Sequence, residues 1–194
     1  MRCGDGGQRG VHTDGDRRSD EILVAALNRG DASAFDSIYA RYRDWVLRLA
    51  LRFTQNDADA LDVLQETFAY FVGKFPGFEL RARLTTFLYP AVKHLAYAAA
   101  AKRRRATGGD DALQAQPAKE PSIDPAAARS ELAALLGALS EPHREVILLR
   151  FVDDLELQEI AGALGIPLGT VKSRLHNAIR TLREDERLRR WFEG

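Results

Sequence analysis

The chain has 194 residues, of which 45% are hydrophobic and 29% are charged, a composition that supports a buried core and excludes a disordered chain. Its 28 basic and 28 acidic residues give a net charge of zero, which argues against a simple polycation that coats nucleic acid, and no apolar run reaches the ~20 residues of a bilayer span. The single cysteine, Cys3, excludes an internal disulfide and a multi-thiolate zinc site, so we expect a cytoplasmic protein.

Helical spacing of apolar residues predicts two helices near the start of the chain. They follow residues 1–18, which lack the apolar segment of a secretory signal and are expected to be a disordered tail. The first helix begins near Ser19 and ends at Gly30, and the second begins at Asp31. The inward positions of the second helix are Phe35, Ile38, Tyr39, Tyr42, Trp45, Val46, Leu49 and Phe53.

A third helix is predicted from about residues 56–59 to Gly73. After it, residues 74–83 predict a loop, because Pro76–Gly77 is a turn dipeptide. The positions of this helix that are expected to face inward are Leu61, Leu64, Phe68, Phe71 and Val72.

A fourth helix is predicted from about Thr86 to Arg105, and it contains a proline. The ring of Pro90 crowds the carbonyl group four residues earlier in a helix. We therefore expect the regular helix to begin within two residues of Pro90, or to kink there.

Residues 106–128 predict a flexible linker, because they contain Gly108–Gly109, three prolines and few large apolar residues. Beyond it the pattern is helical again, with a short helix over 156–164, a stop at Gly165 and a last helix over about 168–184. Before these helices, two sets of apolar residues at helical spacing predict two further helical segments. The first set is Leu132, Leu135, Leu136 and Leu139, and the second is Val146, Ile147, Leu149 and Phe151. Because no segment alternates with period two, the sequence predicts an all-α fold of two small helical domains, a first module at 19–105 and a second module at 129–194.

Residues 155–182 have the pattern of a helix-turn-helix, two helices joined by a short turn that contains glycine. Residues 168–183 hold four cations and no acid, and such a helix enters the major groove of DNA with its N-terminal half. Asn177 has an amide that can pair with both N6 and N7 of adenine. The alternative is a solvated basic helix on an ordinary bundle. The candidate DNA contacts are Thr170, Lys172, Ser173, Arg174, His176, Asn177 and Arg180.

Two motifs in order resemble a known family. The sequence around GTVKSRLH at 169–176 resembles the fourth conserved region of a bacterial sigma factor of the extracytoplasmic-function (ECF) type. The run DALDVLQETF at 59–68 resembles the DAEDLVQETF of region two, and FLY at 87–89 resembles its WLY. The resemblance covers about residues 20–105 and 129–184.

The resemblance implies a non-enzymatic promoter-specificity subunit that needs no cofactor or metal and acts when bound to core RNA polymerase. Region two of this family binds the β′ clamp helices and recognises and melts the −10 element, while region four reads the −35 element and touches the β flap. Promoter DNA and an anti-sigma factor are further implied partners. The residues at the matching polymerase-binding positions are Asp59, Asp62, Gln65 and Glu66. Without the family, the favoured interpretation is that these acids solvate the helix and complement its dipole near the N-terminus.

For the −10 element, residues 75–83 and 93–105 supply aromatic rings and cations, the mixture that binds unstacked single-stranded bases. Taken individually, Phe75 and Phe78 are favoured as core residues over platforms for bases. The candidates are Phe75, Phe78, Arg81, Arg83, Lys93, His94, Tyr97 and Lys102.

The chain departs from the family pattern at three places. KHLAYA at 93–98 replaces the usual Arg-Asn-Leu-Ala-x-Asp, Asn177 replaces an arginine, and Glu156 replaces a serine cap, which should weaken that helix start by about 1 kcal/mol. The alternative function is a stand-alone helix-turn-helix regulator whose first module senses or dimerises. A small helical enzyme is disfavoured, because the four histidines lie in different segments and no phosphate-binding loop is present.

Overall fold

The computed structural model describes residues 18–106 and 134–185, and all regular structure within these two ranges is helical. The predicted disordered tail and most of the predicted linker lie outside the described residues. No helix in the described part of the chain is long and apolar enough to cross a membrane.

The first two helices are α1 (Asp20–Asn28) and α2 (Ser33–Thr54), close to the predicted bounds. The Ser19 side chain caps the start of α1. After its end, Gly30 has φ of +87°, a left-handed conformation that glycine adopts without strain. The second helix begins two residues after the predicted start at Asp31, whose carboxylate accepts a hydrogen bond of 3.0 Å from the Ser33 N–H. The hydrogen bond from the Ser33 hydroxyl, followed by the one from the Ser33 N–H, lowers the pKa of Asp31.

The third helix, α3 (Asp57–Val72), is capped by the Asn56 side chain and ends at Gly73, as predicted. Leu64, Phe68 and Phe71 are buried in the core. Two of the predicted inward positions were wrong, because Leu61 is 49% exposed and Val72 is 45% exposed.

The fourth helix, α4 (Leu84–Ala106), begins six residues before Pro90 and runs through it, so the prediction that the helix begins within two residues of Pro90 was wrong. Burial explains the longer helix, because Leu84 and Leu88 before the proline and Val92 after it all pack in the core. Tertiary packing therefore outweighs the hydrogen bond that proline removes. A kink at Pro90 stays a prediction.

The second module contains a helical turn at 134–137, then α5 (Glu141–Phe151), α6 (Leu157–Leu164) and α7 (Leu168–Glu184). The last two helices match their predicted bounds within one residue. Of the predicted stripe on α5, the first three residues are buried or nearly so, but Phe151 is 64% exposed.

The two modules pack against each other in one arrangement. The hydrophobic core of the first module continues without a break into Val146, Leu149, Leu155 and Ile160 of the second. Across this seam α4 lies beside α6, and a Cβ built on Gly162 would be only 3.0 Å from Cγ2 of Thr86. The structure thus shows the two modules closed upon each other.

Candidate nucleic-acid interface

A helix-turn-helix in the second module presents α7 to solvent. Gly165, with φ of +65°, ends α6, and the Ile166 N–H bonds to the Ala161 carbonyl at 3.1 Å, which fixes the turn. Val171 and Ala178 are fully buried and hold α7 against the rest of the module.

The remaining face of α7 carries all seven residues that the sequence marked for DNA contact. Lys172, Ser173, His176 and Arg180 are exposed, whereas Thr170, Arg174 and Asn177 are half-buried. The Ser173 hydroxyl donates to the Thr170 carbonyl at 3.0 Å. No acidic side chain lies on this helix before Glu184, so a cationic surface faces outward from its first three turns.

The loop at 74–83 is held to α1 by one side chain, Asn28. Its Oδ1 accepts from the N–H groups of Gly77 (2.6 Å) and Phe78 (3.1 Å), and its Nδ2 donates to the Phe78 carbonyl at 2.8 Å. The half-buried rings of Phe75 and Phe78 meet the Phe71 ring at centroid distances of 5.1 and 5.8 Å. The two loop rings thus serve as core contacts in this conformation.

Two candidate −10 residues on α4 contact carboxylates of the second module. Lys93 Nζ forms an ion pair with Glu145, and the Tyr97 hydroxyl donates to Glu141 at 2.8 Å. Partial burial, followed by the hydrogen bond to Glu141, raises the pKa of Tyr97 to about 12, so the phenol stays a donor at neutral pH.

The other −10 candidates differ in their surroundings. Arg83 Nη1 lies 3.3 Å from Oε2 of Glu159 at the start of α6. Arg81, His94 and Lys102 are exposed side chains on the loop and on α4. Among these candidates, Arg83 contacts the second module, whereas Arg81, His94 and Lys102 remain exposed to solvent.

The acidic surface of α3 is exposed where the sequence placed it. Asp62, Gln65 and Glu66 are exposed, while Asp59 is partly covered by an ion pair of 2.5 Å with Arg103 of α4. The described residues contain no group of three or more His, Cys, Asp or Glu side chains that could hold a metal ion.

Sequence reasoning missed two features of these surfaces. Leu61 lies exposed beside the acids of α3, and the available signal was its position immediately before Asp62 in an otherwise outward-facing register. Asp153 follows α5, and its side chain is only 3% exposed because donors from the first module surround it. No sequence pattern identifies those donors, since they lie about a hundred residues away.

Protein-family models match both modules. The model described as Sigma-70 region 2 matches residues 38–106, and the model described as Sigma-70, region 4 matches residues 135–184. The helix-turn-helix falls within region 4, and the segment from α3 to α4 falls within region 2. The fold and surfaces therefore define a two-region protein of the sigma-70 class.

Comparison with curated relatives identifies the family within the sigma-70 class. The chain is 31% identical over 173 residues to the ECF RNA polymerase sigma-E factor of Escherichia coli K12, covering 82% of this chain and 90% of that protein. It is 28% identical over 181 residues to the ECF sigma factor SigW of Bacillus subtilis, covering 84% and 95%. The chain belongs to the ECF family of RNA polymerase sigma factors, which direct promoter-specific transcription initiation.

Solved structures agree on the all-α fold. CnrH, in a complex with the cytosolic domain of CnrY, aligns with a TM-score of 0.62 and 25% identity over 84% of this chain and 94% of that one. The sigma factor RpoE of Bartonella quintana, in a complex with the anti-sigma factor NepR, aligns with a TM-score of 0.57 and 23% identity over 77% and 94%. The second likeness shows the all-α fold alone.

Proposed function

We propose that the two modules divide promoter recognition, with α7 reading the −35 element and α4 with the loop at 74–83 engaging and melting the −10 element. The observation that carries this assignment is the exposed, acid-free face of α7 behind a glycine turn. Side chains on the N-terminal half of such a helix meet base edges in the major groove, and its cations neutralise phosphates.

The −10 role of the first module is supported by the aromatic and cationic side chains that lie together on the loop and on α4. Exposed Arg81, His94 and Lys102 suit the backbone of a single strand, whereas half-buried Phe75 and Phe78 suit a pocket for an unstacked base. These roles require no bond-making chemistry, so the function is non-enzymatic.

The exposed side of α3 is the proposed contact with the β′ clamp helices of core RNA polymerase. Asp62 and Glu66 supply negative charge for a basic partner, and Leu61 supplies an apolar anchor beside them. An interface of this kind combines a small hydrophobic centre with a charged rim. We assign the contact with the β flap to the second module.

An anti-sigma factor is the further partner that we propose. The support is that CnrH, which shares the two-module fold, was solved with the cytosolic domain of a second protein, CnrY.

Transcription in vitro with core RNA polymerase tests the function. The template pool carries randomised −35 and −10 blocks, because the promoter sequence has to be found rather than assumed. We expect transcripts only when core enzyme and the chain are both present, and enrichment of a two-block motif of fixed spacing. Absence of promoter-dependent product, with selection of a palindrome by the chain alone, would instead support the stand-alone regulator.

A further inference from the structure

The aromatic cluster behind the loop at 74–83 reaches the surface at Tyr70. Beneath it, Phe71, Phe78 and Phe87 pack against one another with ring centroids 4.7 to 6.1 Å apart. Tyr70 stacks on Phe87, with centroids 5.9 Å apart and ring planes inclined by only 11°, yet it is 45% exposed. The cluster therefore holds one flat ring at the surface in a defined orientation.

A cation lies over the same ring. Lys74 follows the last residue of α3 by two positions, and its Nζ lies 4.1 Å from the centroid of the Tyr70 ring. Lys74 is exposed, and within the described part of the chain its ammonium group forms no ion pair with a carboxylate. Because the contact between an exposed ammonium group and a ring is weak, a phosphate group can draw the ammonium group off the ring. The ring and the charge are therefore both available to a ligand.

A surface ring beside a cation fits single-stranded nucleic acid, whose bases stack on aromatic side chains while cations pair with its phosphates. Exposed aromatic residues also anchor protein interfaces, which is the alternative. The local charge favours nucleic acid, because the acidic run of α3 ends at Glu66, one turn before Tyr70, and Lys74 is the next charged residue. The position favours it too, since Phe87 contacts Phe78 of the loop that we propose to hold a −10 base.

We infer, on the basis of the −10 role proposed for the loop at 74–83 and α4, that Tyr70 and Lys74 bind one further nucleotide of the melted strand, next to the bases that the loop holds. The base stacks on the Tyr70 ring, and Lys74 pairs with its phosphate. Stacking accepts any base, because every base has a π face. The site therefore adds affinity for the open strand without selecting a sequence, and its nucleotide flanks the −10 element rather than belonging to it.

A scan with abasic sites locates this nucleotide. The promoter recovered from the randomised pool is prepared with mismatches that keep the −10 block and its flanks unpaired, and one base at a time is removed while its phosphate remains. Wild-type holoenzyme should bind about tenfold more weakly when one flanking position is abasic, the size of one stacking interaction. Tyr70→Leu should bind the intact template about tenfold more weakly and lose nothing further at that position, because both changes remove the same contact.

Lys74→Gln tests the phosphate contact separately. It should keep the abasic effect but reduce the slope of log affinity against log salt by about 0.7, the value for one phosphate of a single strand. Tyr70→Leu should leave this slope unchanged, because stacking releases no counterion. An unchanged slope in Lys74→Gln overturns the assignment of Lys74 to the site.

Two control variants separate the ring from its surroundings. Tyr70→Phe keeps the ring, and the Tyr70 hydroxyl makes no hydrogen bond within the described part of the chain, so this variant should bind every template as the wild type does. Val72→Ala shortens a side chain of α3 that is also 45% exposed, and it should leave template binding unchanged. Circular dichroism of each variant verifies that the helices are retained.

The remaining outcomes decide between the possible roles of Tyr70. Wild-type affinity of Tyr70→Leu for the intact template, or a loss that no abasic position reproduces, overturns the inference. An equal loss in a titration of core polymerase without DNA also overturns it, because Tyr70 then belongs to the protein interface. Equal binding of paired and unpaired templates by the wild-type holoenzyme contradicts the proposed −10 role itself, a failure that is visible before any substitution is made.

Discussion

Asn177 and Lys172 lie on α7 and are expected to act on different parts of DNA. Asn177→Ala should lower discrimination at one base pair by about 1–3 kcal/mol, because the amide pairs with a base edge. Lys172→Ala should weaken binding to every sequence and reduce the slope of log affinity against log salt by about 0.9, because one phosphate contact is lost.

Binding of the polymerase holoenzyme to promoter fragments with single base-pair changes, at several salt concentrations, measures both effects. Arg29→Ala is the charge-matched control, since this exposed arginine follows the C-terminal end of α1, away from α7. An equal loss on all fragments for Asn177→Ala would contradict its base-reading role.

Asn28 is the residue that fixes the loop carrying Phe75 and Phe78. Asn28→Ala removes three hydrogen bonds, each worth about 0.5–1.5 kcal/mol net, and should lower the melting temperature. The amides of Gly77 and Phe78 should then exchange hydrogen faster. Asn28→Asp keeps an acceptor for both N–H groups and should retain most of their protection. Wild-type exchange at both amides in Asn28→Ala would show that the loop is held by other contacts.

At the scale of the element, one face of α3 packs in the core and the opposite face is exposed, where we propose that core polymerase binds. Leu61→Ala should weaken binding to core polymerase by about 1 kcal/mol or more, the usual effect of losing a central interface anchor. The thermal stability of the chain should hardly change, because this side chain is already half exposed. Ile22→Ala, at a similarly exposed position on α1, should leave polymerase binding intact. Titration against labelled core enzyme measures both, and equal affinities for the two variants would remove Leu61 from the interface.

Elements whose ends depend on local chemistry were predictable from sequence. The end of α6 follows from Gly165, because glycine adopts the left-handed conformation without strain. The extent of α7 follows from the periodic spacing of its buried residues, which leaves seven polar positions outside. The start of α4 was not predictable, because core packing of Leu84 and Leu88 carries the helix through Pro90. The exposure of Leu61 was missed because helical periodicity by itself assigns a leucine to the core.

At the scale of the whole molecule, the closed arrangement could not be predicted. The seam combines a continuous apolar core with single charged and aromatic side chains, such as Arg52 with Asp153, which repeat with no period. Each of these residues is equally well explained as a solvated surface group until its distant partner is known. The proposed −10 and −35 residues, by contrast, lie on single helices or loops and could be proposed from sequence.

The shared core predicts that the closed chain unfolds as one unit. Val146, Leu149 and Ile160 of the second module pack in the same cluster as the first module, so neither module can melt without exposing the other. Far-UV circular dichroism and tryptophan fluorescence should therefore give one coincident thermal transition. Glu145→Gln/Asp153→Asn removes the charges that pair with Lys93 and Arg52 across the seam, and should lower the temperature of this single transition, because each partly buried cation loses its partner. A single transition at the wild-type temperature in that variant would mean that apolar packing, rather than the carboxylates, holds the modules together.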